Sequence, residues 1–318
     1  MAEIGYKLCS EENSARSLVG QAKRAEDCGF TFAAISDHYH PWIRKQGHSP
    51  FVWAVLGAIS AATDQLHLIT GVTCPIQRIH PAIIAQASAT VATLLPGRFS
   101  LGLGAGENLN EHILGNRWPP TEIRHRMLKE AVEIIRALWS GEETDHHGRY
   151  FTVENAQVFD IPTEPPPICV AAGGSKSATL AGEIGDGLVS TAPKKEIVEA
   201  FHEAGGSGPA YAEITVCYAS TEKVAQQIAF EAWPNAAISG ELTQELPVPA
   251  HFEQAARMLT RENVAEKVVC GPDPERHVAG IKEYIDAGFD HIAVHQIGDD
   301  RHQSDFFDFY REEVLPKL

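Results

Sequence analysis

The chain has 318 residues, 44% of them hydrophobic and 21% charged, which is enough apolar content to bury a large core and excludes global disorder. Lys plus Arg number 26 against 42 Asp plus Glu, a formal charge of −16, and no basic stripe offsets it, which excludes a dedicated nucleic-acid partner. The start, Met1-Ala2-Glu3-Ile4-Gly5, has no basic region followed by an apolar run, and no stretch approaches the roughly 20 apolar residues of a membrane span, so no membrane partner is expected.

Short β-branched runs alternate with helical patterns. Residues 4–9 predict a strand, and 14–28 a helix with Leu18, Val19, Ala22, Ala25 and Cys28 on one face and Gly29 as a stop. Strands follow at 31–36, 66–72 and 99–103, with helices at 51–62, 80–95 (Pro81 in its first turn) and 124–139. The second half repeats the pattern, with strands at 168–172, 187–190, 214–219 and 291–295. Its helices are read at 175–184, 195–204, 222–232 and 304–314. Eight apolar strands, each with a helix after it, predict a (β/α)8 TIM barrel, one domain over residues 1–318, in preference to a doubly wound sheet. Residues 105–123, 141–167 and 234–260 read as insertions, with a small β-hairpin near 148–153. The six cysteines, Cys9, Cys28, Cys74, Cys169, Cys217 and Cys270, form no C-x-x-C pair. They read as small buried hydrophobes of a reducing cytoplasm, not as disulfides or zinc ligands.

An active site on this fold lies at the C-terminal ends of the strands. The second strand runs into Ser36-Asp37-His38-Tyr39-His40-Pro41-Trp42, an acid, two histidines and a tryptophan just beyond a buried strand. A metal centre on Asp37, His38 and His40 is not expected, because no matching ligand spacing supports it. The fourth strand ends in Gly102-Leu103-Gly104-Ala105-Gly106-Glu107. This is neither a dinucleotide fingerprint nor a P-loop, yet its glycines let a flat ligand approach the backbone beside Glu107. The fifth ends in Ala171-Ala172-Gly173-Gly174-Ser175, glycines feeding a helix N-terminus, an arrangement suited to phosphate.

Taken in order, these strand ends resemble the luciferase-like flavin and deazaflavin enzymes, and most of all the F420-dependent glucose-6-phosphate dehydrogenases and their close relatives. The motifs are Ser36-Asp37-His38 with Pro41-Trp42, Gly47-His48-x-Pro50-Phe51, Gly104-x-Gly106-Glu107-x-x-Asn110-Glu111 and Ala171-Ala172-Gly173-Gly174. The resemblance implies a homodimer of TIM barrels binding coenzyme F420. It places Asp37 at the deazaflavin, a bulged cis peptide at Gly71-Val72 behind the ring, and Asn110 among the cofactor contacts. Gly173 and Gly174, with the backbone of Lys176 and Ser177, match the phosphate-binding turn. Cys74 stands where these relatives carry a Thr.

Oxidising an alcohol removes a hydride from carbon and a proton from oxygen. His38 is the natural base for that proton, and Glu107 suits a proton-donor role toward the reduced cofactor. Trp42 would stack near the reacting carbon and exclude water. The expected function is therefore oxidation of a sugar or sugar-phosphate alcohol by hydride transfer to the deazaflavin. The alternatives are an F420H2-dependent reductase, a secondary alcohol dehydrogenase, an FMN-dependent luciferase-like monooxygenase, or a non-catalytic ligand-binding barrel. In the glucose-6-phosphate enzymes a Thr, two Lys and an Arg clasp the phosphate. Thr191 and Lys194 match the Thr and one Lys. Lys267 replaces the Arg, which keeps charge but loses the bidentate fork, and Thr243 falls near the second Lys, between Glu241 and Glu245. Each lost charge-assisted hydrogen bond costs about 1.5–3 kcal/mol, roughly 10- to 150-fold in affinity. Glucose 6-phosphate is therefore expected to be a poor substrate or none; the alternative is that Lys194 and Lys267 suffice for an ordinary glucose-6-phosphate dehydrogenase.

Overall fold

The computed structural model describes residues 2–238, 240–298 and 300–318. Eight parallel strands close on themselves: β1 (Glu3–Leu8), β2 (Phe32–Ile35), β3 (His67–Thr70), β4 (Phe99–Leu103), β5 (Ile168–Ala171), β6 (Gly187–Ser190), β7 (Ala210–Cys217) and β8 (His291–Gln296). The seam between first and last strands runs from Glu3 opposite His291 to Tyr6 opposite Val294. The helices are α1 (Ala15–Cys28), α2 (Val52–Ser60), α3 (Pro81–Leu94), α4 (Thr121–Leu138), α5 (Ser175–Ile184), α6 (Lys195–Glu203), α7 (Glu222–Ala232), α8 (Pro274–Asp286) and α9 (Asp300–Phe309). This is the expected (β/α)8 barrel.

Local chemistry sets the element ends. The Ser14 hydroxyl accepts from the Ser17 N–H at the start of α1, and Gly29, at φ 94°, ends it. Leu18, Ala22, Ala25 and Cys28 form its buried face, as their spacing predicts. All six cysteines are free and buried.

Three elements differ from the sequence reading. The hairpin pairs Thr144–His147 with Thr152–Ala156, so residues 148–151 form its turn. That turn is held by the Glu130 carboxylate, which accepts the N–H groups of Arg149, Tyr150 and Phe151, a tertiary contact with no local signature. Strand β7 begins at Ala210, four residues early, because Gly208-Pro209 masks its start. Helix α8 was not anticipated. Asp273 caps it and Pro274 opens it, but a buried His277 interrupts its apolar stripe. The 234–260 insertion carries short helices at Leu242–Glu245 and Pro249–Ala256. Ser239, within the segment aligned to the second phosphate Lys, lies outside the described residues.

Candidate active site

The backbone continues past β2 into Asp37 and His38, at the barrel mouth. The His38 Nδ1 lies 3.2 Å from the His40 carbonyl. A carbonyl only accepts, so Nδ1 donates to it and, in the neutral ring, Nε2 is the nitrogen with a free lone pair. Nε2 faces two carboxylates, Glu11 Oε1 and Glu107 Oε2, each at 3.5 Å. The Trp42 ring packs on His38 with centroids 5.0 Å apart, and Phe252 meets the far side of Trp42 edge-on.

The two carboxylates are driven apart in acidity. Burial opposes ionisation of Glu11, but His38, Lys7 and the Ser36 hydroxyl at 2.5 Å outweigh it and hold the group at about 2. Burial pushes Glu107 up from its usual 4.5, with His38 opposing and Glu11 and Glu111 adding to it. The Glu107 side chain keeps 30% of its surface accessible, but to the cavity, so burial still dominates. Its Oε2 accepts from Asn110 Nδ2 at 3.1 Å. Two carboxyl groups of opposite tendency, Glu11 held acidic and Glu107 pushed up by burial, therefore converge on one imidazole nitrogen.

A second buried network braces the first. Arg78 Nη2 donates to Asp37 Oδ1 at 2.8 Å and Nε to Glu111 Oε1 at 3.4 Å, while Thr73 Oγ1 donates to Asp37 Oδ2 at 2.8 Å. Burial, against the pull of Arg78, leaves Glu111 above its usual value. Asn110 Oδ1 accepts the N–H groups of Tyr39 and His40, tying the His38 loop to the glycine-rich loop. Glu11 and Arg78 join the site without a sequence motif to mark them. Glu11 stands just past the end of the first strand, the same kind of position as Asp37 and Glu107.

These groups border a cavity of about 200 Å³ that reaches from His38, Glu107 and Gln244 down to Phe32 and Tyr211. The Gly71–Val72 peptide on its wall is cis, with Lys7 Nζ donating to the Gly71 carbonyl and pairing with Glu213 at 2.7 Å. Cys74, Asp37, Asn110 and Thr191 also line it. Trp42, expected beside the reacting carbon, is not in the lining and packs instead behind His38. Gly173, Gly174, Lys176 and Ser177 sit at the start of α5 outside the lining, with open space where a Cβ would stand on either glycine. The Ser177 hydroxyl donates to the Gly174 carbonyl. Lys194 and Lys267 are exposed and do not line the cavity. Gln244 is held in place by the buried Arg124, whose Nη2 donates to its Oε1 at 2.9 Å while the guanidinium lies over Trp118.

Residues 2–291 match the luciferase-like monooxygenase family. The chain is 36% identical over 331 aligned positions to the F420-dependent glucose-6-phosphate dehydrogenase of Nocardia farcinica, covering 99% of this chain and 98% of the relative. It is 37% identical over 332 positions to F420-dependent glucose-6-phosphate dehydrogenase 2 of Rhodococcus jostii, covering 99% and 97%. Among solved structures, an F420-dependent secondary alcohol dehydrogenase in complex with an F420-acetone adduct superposes with a TM-score of 0.88 at 29% identity, over 99% of this chain and 98% of that one. A coenzyme F420-dependent tetrahydromethanopterin reductase from Methanopyrus kandleri, at 21% identity and a TM-score of 0.79 over 99% of both chains, shares the fold. This chain belongs to the luciferase-like monooxygenase family.

Proposed function

We propose that this protein is an F420-dependent dehydrogenase that oxidises the alcohol of a sugar or a related secondary alcohol. The observation that carries the reading is His38, whose Nε2 lies 3.5 Å from both the Glu11 and the Glu107 carboxyl groups, with the Trp42 indole packed on its ring. Alcohol oxidation needs such a base, and flavin monooxygenation does not. The names of the full-length relatives and of the closely superposing alcohol dehydrogenase agree with it.

The residues present fit a deazaflavin. The cavity wall at Gly71-Val72 is backed by Gly102 and Gly104, where a Cβ would press on Val72, and Gly173-Gly174 leave room before α5 for a phosphate against backbone N–H groups. Asp37, Gly71, Val72, Cys74 and Asn110 would hold the ring, and Gly173, Gly174, Lys176 and Ser177 the phosphate side. When bound, the deazaflavin supplies the hydride acceptor. His38 takes the alcohol proton at Nε2, and Glu11 stabilises the imidazolium that results. Glu107, against the same nitrogen, holds or delivers a second proton toward the cavity. Trp42 covers the ring of His38 and excludes water. In the reverse direction the same groups would serve a reductase.

Among the described residues, Lys7, paired with Glu213, is the Lys or Arg that lines the cavity. Thr191 and Gln244 offer neutral hydrogen bonds, while Lys194 and Lys267 stand outside. This favours an uncharged or amino-bearing alcohol over a phosphorylated sugar. The reaction is placed in a reducing cytoplasm, supported by the six free thiols, and no described helix is long and apolar enough to cross a membrane. The assembly is taken as a homodimer from the family resemblance, and light scattering tests it. A screen of F420 reduction across sugar phosphates, free sugars, aminosugars and secondary alcohols tests the function. Turnover with a neutral or amino-bearing alcohol is expected. Cofactor binding without turnover of any alcohol contradicts the reading.

A further inference from the structure

We propose that Cys9, Glu12 and His295 bind a divalent transition-metal ion of the zinc type and clip the first barrel strand to the last. The site does not depend on the dehydrogenase reading. One ligand atom from each residue lies within 4.8 Å of the others, and all three residues are buried. Cys9 follows β1 directly, Glu12 lies in the same loop, and His295 is in β8. These strands meet at the barrel seam, so residues from opposite ends of the sequence come together, and no local motif announces the set.

The donor chemistry is specific. A thiol, an imidazole and a carboxylate suit Zn2+ and its neighbours, whereas hard cations such as Mg2+ select oxygen alone. Zinc bonds of about 2.0–2.3 Å in a tetrahedron put donors about 3.5 Å apart. His295 Nε2 and Glu12 Oε2 are already 3.4 Å apart, so the sulfur makes the main adjustment.

Three surrounding features point to a cation. His295 Nδ1 is buried without a hydrogen-bond partner among the described residues, and Glu213 Oε1 stands 4.0 Å from it. A metal on Nε2 would fix the proton on Nδ1, toward that carboxylate, the usual orienting pair behind a ligating histidine. The Gly298 N–H holds the Glu12 carboxylate. Among the described residues, Glu11, Glu12 and Glu213 meet one Lys or Arg within ion-pair distance, Lys7, so the cluster carries surplus negative charge.

On binding, the Cys9 S–H bond breaks, a sulfur–metal bond forms, and the proton leaves to the buffer. That proton now faces Glu11 Oε2 at 3.4 Å. The ion would therefore also steady the loop that carries Glu11 to His38.

The test uses the full chain, stripped with chelator and dialysed against Zn2+ or Co2+. The expected results are one ion per chain, release of about one proton, and a thiolate charge-transfer band with Co2+. Zn2+ at about 100 times its Kd should raise the thermal midpoint by about 4 °C. Cys9→Ser should abolish the band, and Glu12→Gln should weaken Zn2+ binding at least ~10-fold, with circular dichroism reporting that each variant folds. Less than about a tenth of an ion per chain at micromolar free Zn2+, or a Co2+ band that survives Cys9→Ser, overturns the proposal. The wild-type stoichiometry decides even where a variant does not fold.

Discussion

His38 Nε2 has two carboxyl groups 3.5 Å from it, so in the proposed reaction it and Glu107 would form the centre of the proton chemistry. His38→Ala and Glu107→Gln should each lower turnover by roughly 100-fold or more, the range for a lost acid–base partner. Deazaflavin affinity, read by fluorescence titration, should change far less in His38→Ala. Turnover unchanged in both variants removes them from the mechanism. Glu107 also makes a stability prediction. Its carboxyl is raised from 4.5 by burial, so ionising it costs stability increasingly as pH climbs from the usual value through the raised one. Glu107→Gln removes that cost. Thermal melts should show no gain below pH 4.5 and a gain near neutral pH; a loss at neutral pH contradicts the account. The pieces legible from sequence were those in local runs, Asp37-His38 and Gly106-Glu107. Arg78 was not legible because its role exists only through contacts to Asp37 and Glu111, 41 and 33 residues away along the chain.

At the scale of elements, the glycine-rich loop after β4 is shaped by what lies under it. Gly106 has φ 75°, and a Cβ there would overlap the Cys74 sulfur and stand 3.1 Å from Glu111 Cγ. Gly106→Ala should destabilise the protein by about 2 kcal/mol or more, from backbone strain and overpacking together. A denaturant midpoint equal to wild type contradicts this. The Leu242–Glu245 helix is held against α4 by Arg124, through Gln244 and through Glu245 at 3.3 Å. Glu245 is half exposed, so its ion pair adds little, and the half-buried contacts of Arg124 to Gln244 and the Pro119 carbonyl matter more. Arg124→Gln should cost about 2 kcal/mol and raise KM for the alcohol more than it lowers kcat, since Gln244 faces the cavity. Equal losses in both constants would place Arg124 elsewhere in the cycle. Elements with clean periodicity, such as α1 and α5, were legible in the sequence. Helix α8 was not, because His277 sits in its buried stripe and finds partners in Tyr310 and the Gly271 carbonyl.

For the whole molecule, closure of β1 against β8 brings residues 7–12 and 291–298 beside the loops that carry His38 and Glu107. Local runs indicated the barrel, but not which ends would meet across its mouth. The phosphate reading shows the difference. Lys194 and Lys267 match by alignment, yet both are exposed and outside the cavity lining, while Gln244 faces inward. The proposed deazaflavin-dependent hydride transfer is tested most directly by titrating the purified protein with F420 and with FMN in parallel. Saturable F420 binding is expected, followed by reduction of the bound F420 when a substrate alcohol is added. Micromolar FMN binding with no F420 binding would contradict it.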